Sequence, residues 1–329
     1  MLKSNLIKEI TAKTQYASTA TVLVHSEQYA HWIFDPSHPT QGRRFMNAKK
    51  LLTESLSEKD TELTILEPRL ATMNELLRVH SSRYIAEVLD DHESGQWSGA
   101  RPDLSNLAAL FAGGTLVALE ALLTGKTNTA IHFPGAKHHA QYDYSSGFCV
   151  FADFALAADI ATKDHGKRVA ILDIDAHHGD GTENLTADNP DVLSFSIHEM
   201  GIFPGTGNES EPLKLVYNYP LGSNVEGLNP RKDDKALLHG VTEFCRLADQ
   251  FKPDLLFIAC GADGHAEDPL SSLQFSVEGF REVAELVRSR FPSVPILLGG
   301  AGGYLPDTRT PEVWSRFAHS LASSLTAGS

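Results

Sequence analysis

Short apolar runs rich in β-branched residues recur at Thr21–His25, Leu63–Leu66, Thr129–Phe133, Val169–Ile174, Val192–Ile197, Leu255–Cys260 and Pro295–Leu298. Each has the length and composition of a strand. Between most of them apolar positions return every three or four residues, which predicts helices over Phe45–Leu56, Leu104–Leu123, Phe151–Thr162, Lys235–Phe251 and Val277–Arg290, with a last one near Pro311–Leu325. Strand and helix in alternation specify an α/β fold, a mostly parallel sheet with helices on both faces. The runs starting at Val169 and Leu255 are almost wholly apolar, as strands buried on both faces must be. No Pro-, Gly- or Ser-rich linker breaks the pattern, so one domain over 1–329 is expected, its motif-bearing core at about 20–325. Long connections are expected between the Val192 and Leu255 strands and between Glu87 and Pro102.

With 329 residues, 42% of them hydrophobic, the chain can bury a large core. No basic flank, apolar run and cleavage site stand together near the N-terminus, and no run of about 18 apolar residues occurs, so a cytoplasmic protein without a membrane partner is expected. Cys149, Cys245 and Cys260 are odd in number and far apart, which suits a reducing compartment better than a disulfide framework. A formal net charge of −14 disfavours nucleic acid as a partner and gives a weak pull on cationic ligands.

The chemistry concentrates where the strands end. In Ile171-Leu172-Asp173-Ile174-Asp175-Ala176-His177-His178-Gly179-Asp180-Gly181, side chains of an extended segment alternate, so Asp173, Asp175 and His177 project from one side. Two carboxylates and an imidazole suit zinc, and three protein ligands with an open position describe a catalytic site. A polar strand end with satisfied histidines would carry the same letters; the other strand ends argue against it. His138-His139 follow the Thr129 strand, His198 and Pro204-Gly205-Thr206-Gly207 the Val192 strand, Asp263 the Leu255 strand, and Gly302-Gly303-Tyr304 the Pro295 strand. Open parallel sheets bind ligands outside their carboxyl edge, where all these residues fall.

Taken in order, Pro134-Gly135 with His138-His139-Ala140, Ser146-Gly147-Phe148-Cys149, Asp173 to Gly181, Phe203 to Gly207, Gly261-Ala262-Asp263 with Asp268-Pro269-Leu270, and Gly302-Gly303-Tyr304 resemble the zinc-dependent histone deacetylase family of arginase/deacetylase-fold amidohydrolases. That family includes acetylpolyamine deacetylases and acetoin-utilisation proteins. His38-Pro39, Arg43-Arg44, Val79-His80 and Tyr84-Ile85 form a fainter N-terminal echo. The resemblance implies zinc-dependent hydrolysis of an acyl amide, acyl-lysine first and a small acetylated amine second. It implies Asp175, His177 and Asp263 as zinc ligands, and His138 and His139 as a dyad backed by Asp173 and Asp180, with His139 the general base and acid. Tyr304 would stabilise the oxyanion, Gly147, Phe148 and Phe203 would line the substrate tunnel, and Leu270 would stand at its mouth.

A potassium ion is implied at Asp173, Asp175, the backbone of His177, Ser196 and the backbone of Ile197. A second cation would fall near Thr186, Asn189, Val192 and Leu215. The run Gly299-Gly300-Ala301-Gly302-Gly303 looks one residue longer than the family's, which leaves the path of that loop open. Outside the resemblance, phenylalanines and a lone tyrosine are more often core residues, and Cys149, with no flanking base, reads as packing. Two rival functions make different demands on these residues. A binuclear manganese ureohydrolase would need a further carboxylate that Asp-Ala-His-His-Gly lacks, and an inactive acyl-lysine-binding scaffold would be signalled by loss of Tyr304, a dyad histidine or a zinc ligand, all of which are present.

Overall fold

The computed structural model describes residues 20–58, 61–222 and 231–323. In chain order its elements are β1 (Thr21–Val24), α1 (Arg43–Ser57), β2 (Leu63–Leu66), α2 (Met73–Leu76), α3 (Ser82–Leu89), α4 (Pro102–Leu123), β3 (Thr129–His132), α5 (Asp153–Lys163), β4 (Val169–Asp173), α6 (Asp180–Thr186), β5 (Val192–Glu199), β6 (Val216–Leu221), α7 (Asp234–Phe251), β7 (Leu255–Ala259), α8 (Val277–Arg290), β8 (Ile296–Gly299) and α9 (Arg309–Ser323). The strands form one eight-stranded sheet in the order β2-β1-β3-β8-β7-β4-β5-β6. Every pairing is parallel. All carboxyl ends therefore point to one edge.

The expected strands and long helices stand where the apolar pattern puts them, to within a residue or two at each end. Leu325, the expected end of the last helix, lies outside the described residues. β4 and β7, central in the sheet, are buried at every position and have almost no polar side chain, as helices on both faces require. On α1 the buried positions Arg44, Phe45, Ala48, Leu52 and Leu56 recur at helical spacing. α7 starts on the Asp233 carboxylate, which accepts the Ala236 N–H, and stops at Lys252 in the left-handed region.

Two expectations change. The interval between Val192 and Leu255 holds a further strand, β6, at the sheet edge, where its half-buried tyrosines and Pro220 hide it from an apolar-run search. The short helices at Met73–Leu76, Ser82–Leu89 and Asp180–Thr186 are further elements that the apolar pattern does not predict. Although no uninterrupted apolar run of membrane length exists, α4 is long and apolar enough to cross a bilayer, with a mean hydropathy of 1.7 over its best window. Of that window 78% is buried inside the fold, so packing explains its composition.

Candidate active site

β4 runs out into Ile174-Asp175-Ala176-His177, and β7 into Cys260-Gly261-Ala262-Asp263, its neighbour in the sheet. This adjacency brings the three expected ligands together. His177 Nδ1 lies 3.1 Å from Asp175 Oδ1 and 3.0 Å from Asp263 Oδ2. Among the described residues they are the single buried group of this kind, with donor atoms all within 4.8 Å of one another. The remaining oxygens are held: Asp175 Oδ2 accepts the Gly302 N–H at 2.6 Å and Asp263 Oδ1 the Ala176 N–H at 3.0 Å.

The electrostatics of this group fit a cation. Burial works against a charged imidazole, yet the two carboxylates outweigh it and push His177 up to about 11. Burial, and after it the Asp175 charge, raises Asp263 above the ordinary carboxylate range. Two carboxylates compressed around one imidazole nitrogen draw positive charge to that point. Ligand–metal bonds of about 2.0–2.2 Å place ligand atoms roughly 3.3 Å apart, close to the spacing found, so the donor set fits zinc.

The dyad is built on the loop leaving β3. His138 Nδ1 meets Asp173 Oδ2 at 2.7 Å and His139 Nδ1 meets Asp180 Oδ1 at 2.7 Å, with the ring centroids 4.0 Å apart. Gln141 Nε2 holds the other Asp180 oxygen at 2.9 Å. Two similar imidazoles are driven apart by their surroundings. Burial would depress His138, but Asp173 and Asp175 overcome it and push it up to about 9. Burial and then the neighbouring His138 push His139 down to about 4, against Asp180. The two rings thus sit in electrostatically unlike surroundings that shift them in opposite directions.

Tyr304 follows β8 through the glycine-rich loop, whose path is now defined. The Gly302 N–H caps Asp175, and the Gly302 carbonyl accepts the Ala262 N–H at 2.9 Å, so the loop closes over both carboxylates of the cluster. A Cβ on Gly302 would stand 2.2 Å from Asp263 Oδ2 and 2.6 Å from Asp175 Oδ2. Gly302→Ala is therefore expected to displace a ligand and lower metal content and activity by about 10- to 100-fold, the cost of disturbing a ligand's supporting shell. Elemental analysis of the purified variant checks it.

A cavity of about 420 Å³ opens above the cluster, lined by Gln96, His139, Gly147, Phe148, His177, Ile202, Phe203, Leu270 and Tyr304. All four expected substrate-contact residues are in it. The Phe203 ring lies 5.0 Å from His139, and that of Phe148 lies 5.9 Å from Tyr304. Gly147 must be small, since a Cβ there would lie 2.3 Å from the His139 ring. Asp173 and Ser196 are register partners on β4 and β5, although the Ser196 hydroxyl is also engaged by His198 Nδ1 at 2.9 Å. The carbonyls of Thr186, Asn189 and Leu215 accept N–H groups of Asn189, Val192 and Ser194.

Other residues of the site carried little sequence signal. Gln96, from the irregular loop before α4, walls the cavity and accepts the Phe148 N–H at 2.7 Å. Asp268 Oδ2 accepts the Tyr304 N–H at 2.8 Å while its Oδ1 accepts that of Leu270 at 3.0 Å. Its Asp-Pro step marked the position without revealing this work. Arg44 gives Nη1 to the Gly303 carbonyl at 2.7 Å, and His38 packs 4.6 Å from the Phe148 ring, so these two residues of the N-terminal echo border the site.

An all-parallel sheet with a carboxylate-rich candidate metal centre and a histidine dyad at its carboxyl edge defines the class as α/β with a hydrolytic constellation. Residues 38–321 match the histone deacetylase domain, and the chain belongs to that family. It is 31% identical over a 332-residue alignment to the acetoin utilization protein AcuC of Staphylococcus aureus strain Mu50, covering 93% of this chain and 83% of the relative. AcuC of Bacillus subtilis strain 168 is 31% identical over 319 residues, with 90% and 80% covered. Among solved structures, the HDA15 HD domain superposes with a TM-score of 0.79 at 22% identity, covering 92% of this chain and 90% of that one, a likeness of fold.

Proposed function

We propose that this protein is a zinc-dependent deacetylase acting on acyl-lysine in peptides or proteins. What carries the reading is the convergence of the Asp175–His177–Asp263 cluster, His139 and Tyr304 on one cavity. Asp175, His177 and Asp263 would hold zinc, which supplies Lewis acidity toward an amide carbonyl and makes water a better nucleophile. His139, neutral and fixed by Asp180, takes a proton from water at Nε2 and hands it to the departing amine. His138, charged against Asp173, steadies the negative charge that develops. The Tyr304 hydroxyl donates to the carbonyl oxygen as it becomes anionic. Phe148 and Phe203 shield the aliphatic stem from water, and the Gly147 carbonyl faces the amide N–H. A potassium ion at Asp173, Asp175, Ser196 and the carbonyls of His177 and Ile197 is part of the same proposal; the pairing of Asp173 with Ser196 across adjacent strands supports it.

The second reading, a small acetylated amine as substrate, draws on relatives named for acetoin utilization. Leu270 separates the two. It sits at the cavity mouth, 37% exposed, and offers apolar surface rather than a partner for a polyamine ammonium. The parent is expected to show the higher kcat/KM on an acetyl-lysine peptide than on N8-acetylspermidine. Leu270→Glu should shift the ratio toward the polyamine by about two- to fivefold, the worth of a partly exposed ion pair. A parent that prefers the polyamine tenfold or more would move the assignment to the second reading.

A further inference from the structure

One fully buried carboxylate stands outside both the cavity and the Asp175–His177–Asp263 cluster. Asp153 is the first residue of α5, yet among the described residues its oxygens bond only to other elements. Oδ1 accepts the Lys137 N–H at 2.6 Å, Oδ2 accepts the Ala136 N–H at 3.0 Å, and the Thr115 hydroxyl of α4 closes on Oδ2 as well. The two backbone donors immediately precede His138 in the chain. Ala136 sits at φ 65°, in the left-handed region that a side chain disfavours, so the bend that aims His138 and His139 persists only while its surroundings hold it.

The charge state of Asp153 follows from the polar chain behind it. The Tyr29 hydroxyl is buried and, among the described residues, bonds only to His132 Nε2, at 3.0 Å, so its proton lies on that line. Burial, and after it the Lys137 charge, keeps His132 well below its ordinary pKa, so the ring carries a single proton, on Nδ1. That N–H donates to the Thr115 hydroxyl at 2.9 Å, which leaves the hydroxyl proton for Asp153. Every group facing the carboxylate is therefore a donor, and a protonated Asp153 would find no acceptor. Burial pushes its carboxyl up, while the Thr115 hydroxyl and the two N–H groups oppose this by favouring the anion.

The same bend touches the loop that carries Tyr304. The Gly135 carbonyl accepts the Ala301 N–H at 3.1 Å and the Phe133 carbonyl accepts the Gly300 N–H at 3.2 Å, which ties the exit of β8 to the exit of β3. The contact is close: a Cβ on Gly299 would stand 2.8 Å from that of Ala136.

We infer that Asp153 is a positioning residue of the hydrolytic site. Its carboxylate, oriented by Thr115 and His132, fixes the Gly135–Lys137 bend and through it the placement of the histidine dyad relative to Tyr304. This rests on the amide-hydrolase reading above. Asp153 touches no substrate and acts through geometry, where a misplacement of about 1 Å is enough to lower a rate by about 10²-fold.

Asp153→Asn keeps the volume but turns one accepting oxygen into a donor, which must then meet the N–H of Lys137 or that of Ala136. kcat and KM are measured per metal-loaded chain on whichever of an acetyl-lysine peptide and N8-acetylspermidine the parent hydrolyses faster. Metal content and backbone hydrogen exchange at 134–140, 300–304 and 173–178 are read on the same protein. In Asp153→Asn kcat is expected to fall by about 10- to 100-fold with KM and metal content within about twofold of the parent's. Exchange should quicken at 134–140 and 300–304 and stay unchanged at 173–178. Thr115→Val removes the hydroxyl and leaves the carboxylate, so the same pattern is expected at about three- to tenfold, with kcat restored in Thr115→Ser. This second pair decides the matter if Asp153→Asn does not fold. Variants with parental kcat and only a lower Tm would make the role purely structural and overturn the inference. A loss of metal in step with turnover, or a raised KM at unchanged kcat, would overturn it too. If the parent hydrolyses neither compound, the hydrolase reading fails and exchange alone judges the anchor: quickening confined to 134–140 and 300–304 upholds it, and unchanged exchange there overturns it.

Discussion

Asp175→Ala and Asp263→Ala are each expected to strip the protein of metal and lower deacetylation by more than about 100-fold, beyond the usual cost of disturbing a supporting residue. The two carboxylates act as a unit. Each contributes one oxygen to His177 Nδ1, at 3.1 and 3.0 Å, and gives its other oxygen to a backbone N–H that fixes its direction. Losing either leaves a carboxylate and an imidazole, too few donors for a three-ligand centre. It also frees a backbone N–H, that of Gly302 or Ala176, which loosens the connection to β8 or β4. Elemental analysis alongside a peptide deacetylation assay reads both effects, and undiminished zinc in both variants would disprove the ligand assignment.

Tyr304→Phe should behave differently, with kcat reduced by about 10²- to 10³-fold while zinc content and KM stay near the parent's. The backbone of Tyr304 is anchored by Asp268 at 2.8 Å, so the substituted ring keeps its place and only the hydroxyl is lost. Burial, and then the charges of Asp263 and Asp175, hold the phenol well above its ordinary pKa. It therefore stays a donor throughout the working pH range. A donor aimed at charge that appears only in the transition state affects kcat more than binding. Parental turnover in this variant would remove Tyr304 from the reaction, and a matching loss of zinc would make its role structural.

The sheet was legible because its strands are short apolar runs between helical repeats, and the site was legible because parallel strands deliver their ends to one edge. Asp175 and Asp263 are far apart in sequence, yet β4 and β7 are hydrogen-bonded neighbours, so two strand ends sufficed to expect a meeting. What stayed hidden acts through contacts without periodicity. β6 is an edge strand with polar and proline positions. Gln96 stands in an irregular loop and acts by one hydrogen bond to the Phe148 backbone. Asp268 acts on two backbone N–H groups that only the folded loop brings near it. The opposite shifts of His138 and His139 come from burial and from carboxylates on other elements, which spacing alone does not weigh.

Every step of the proposed hydrolysis depends on one zinc held by Asp175, His177 and Asp263. The most direct test is metal content and acetyl-lysine peptide turnover measured on the same preparation, before chelation, after it, and after zinc is returned. About one zinc per chain is expected, with turnover abolished by the chelator and restored by zinc. Turnover that survives complete removal of metal, or that returns only with two manganese ions per chain, would contradict it.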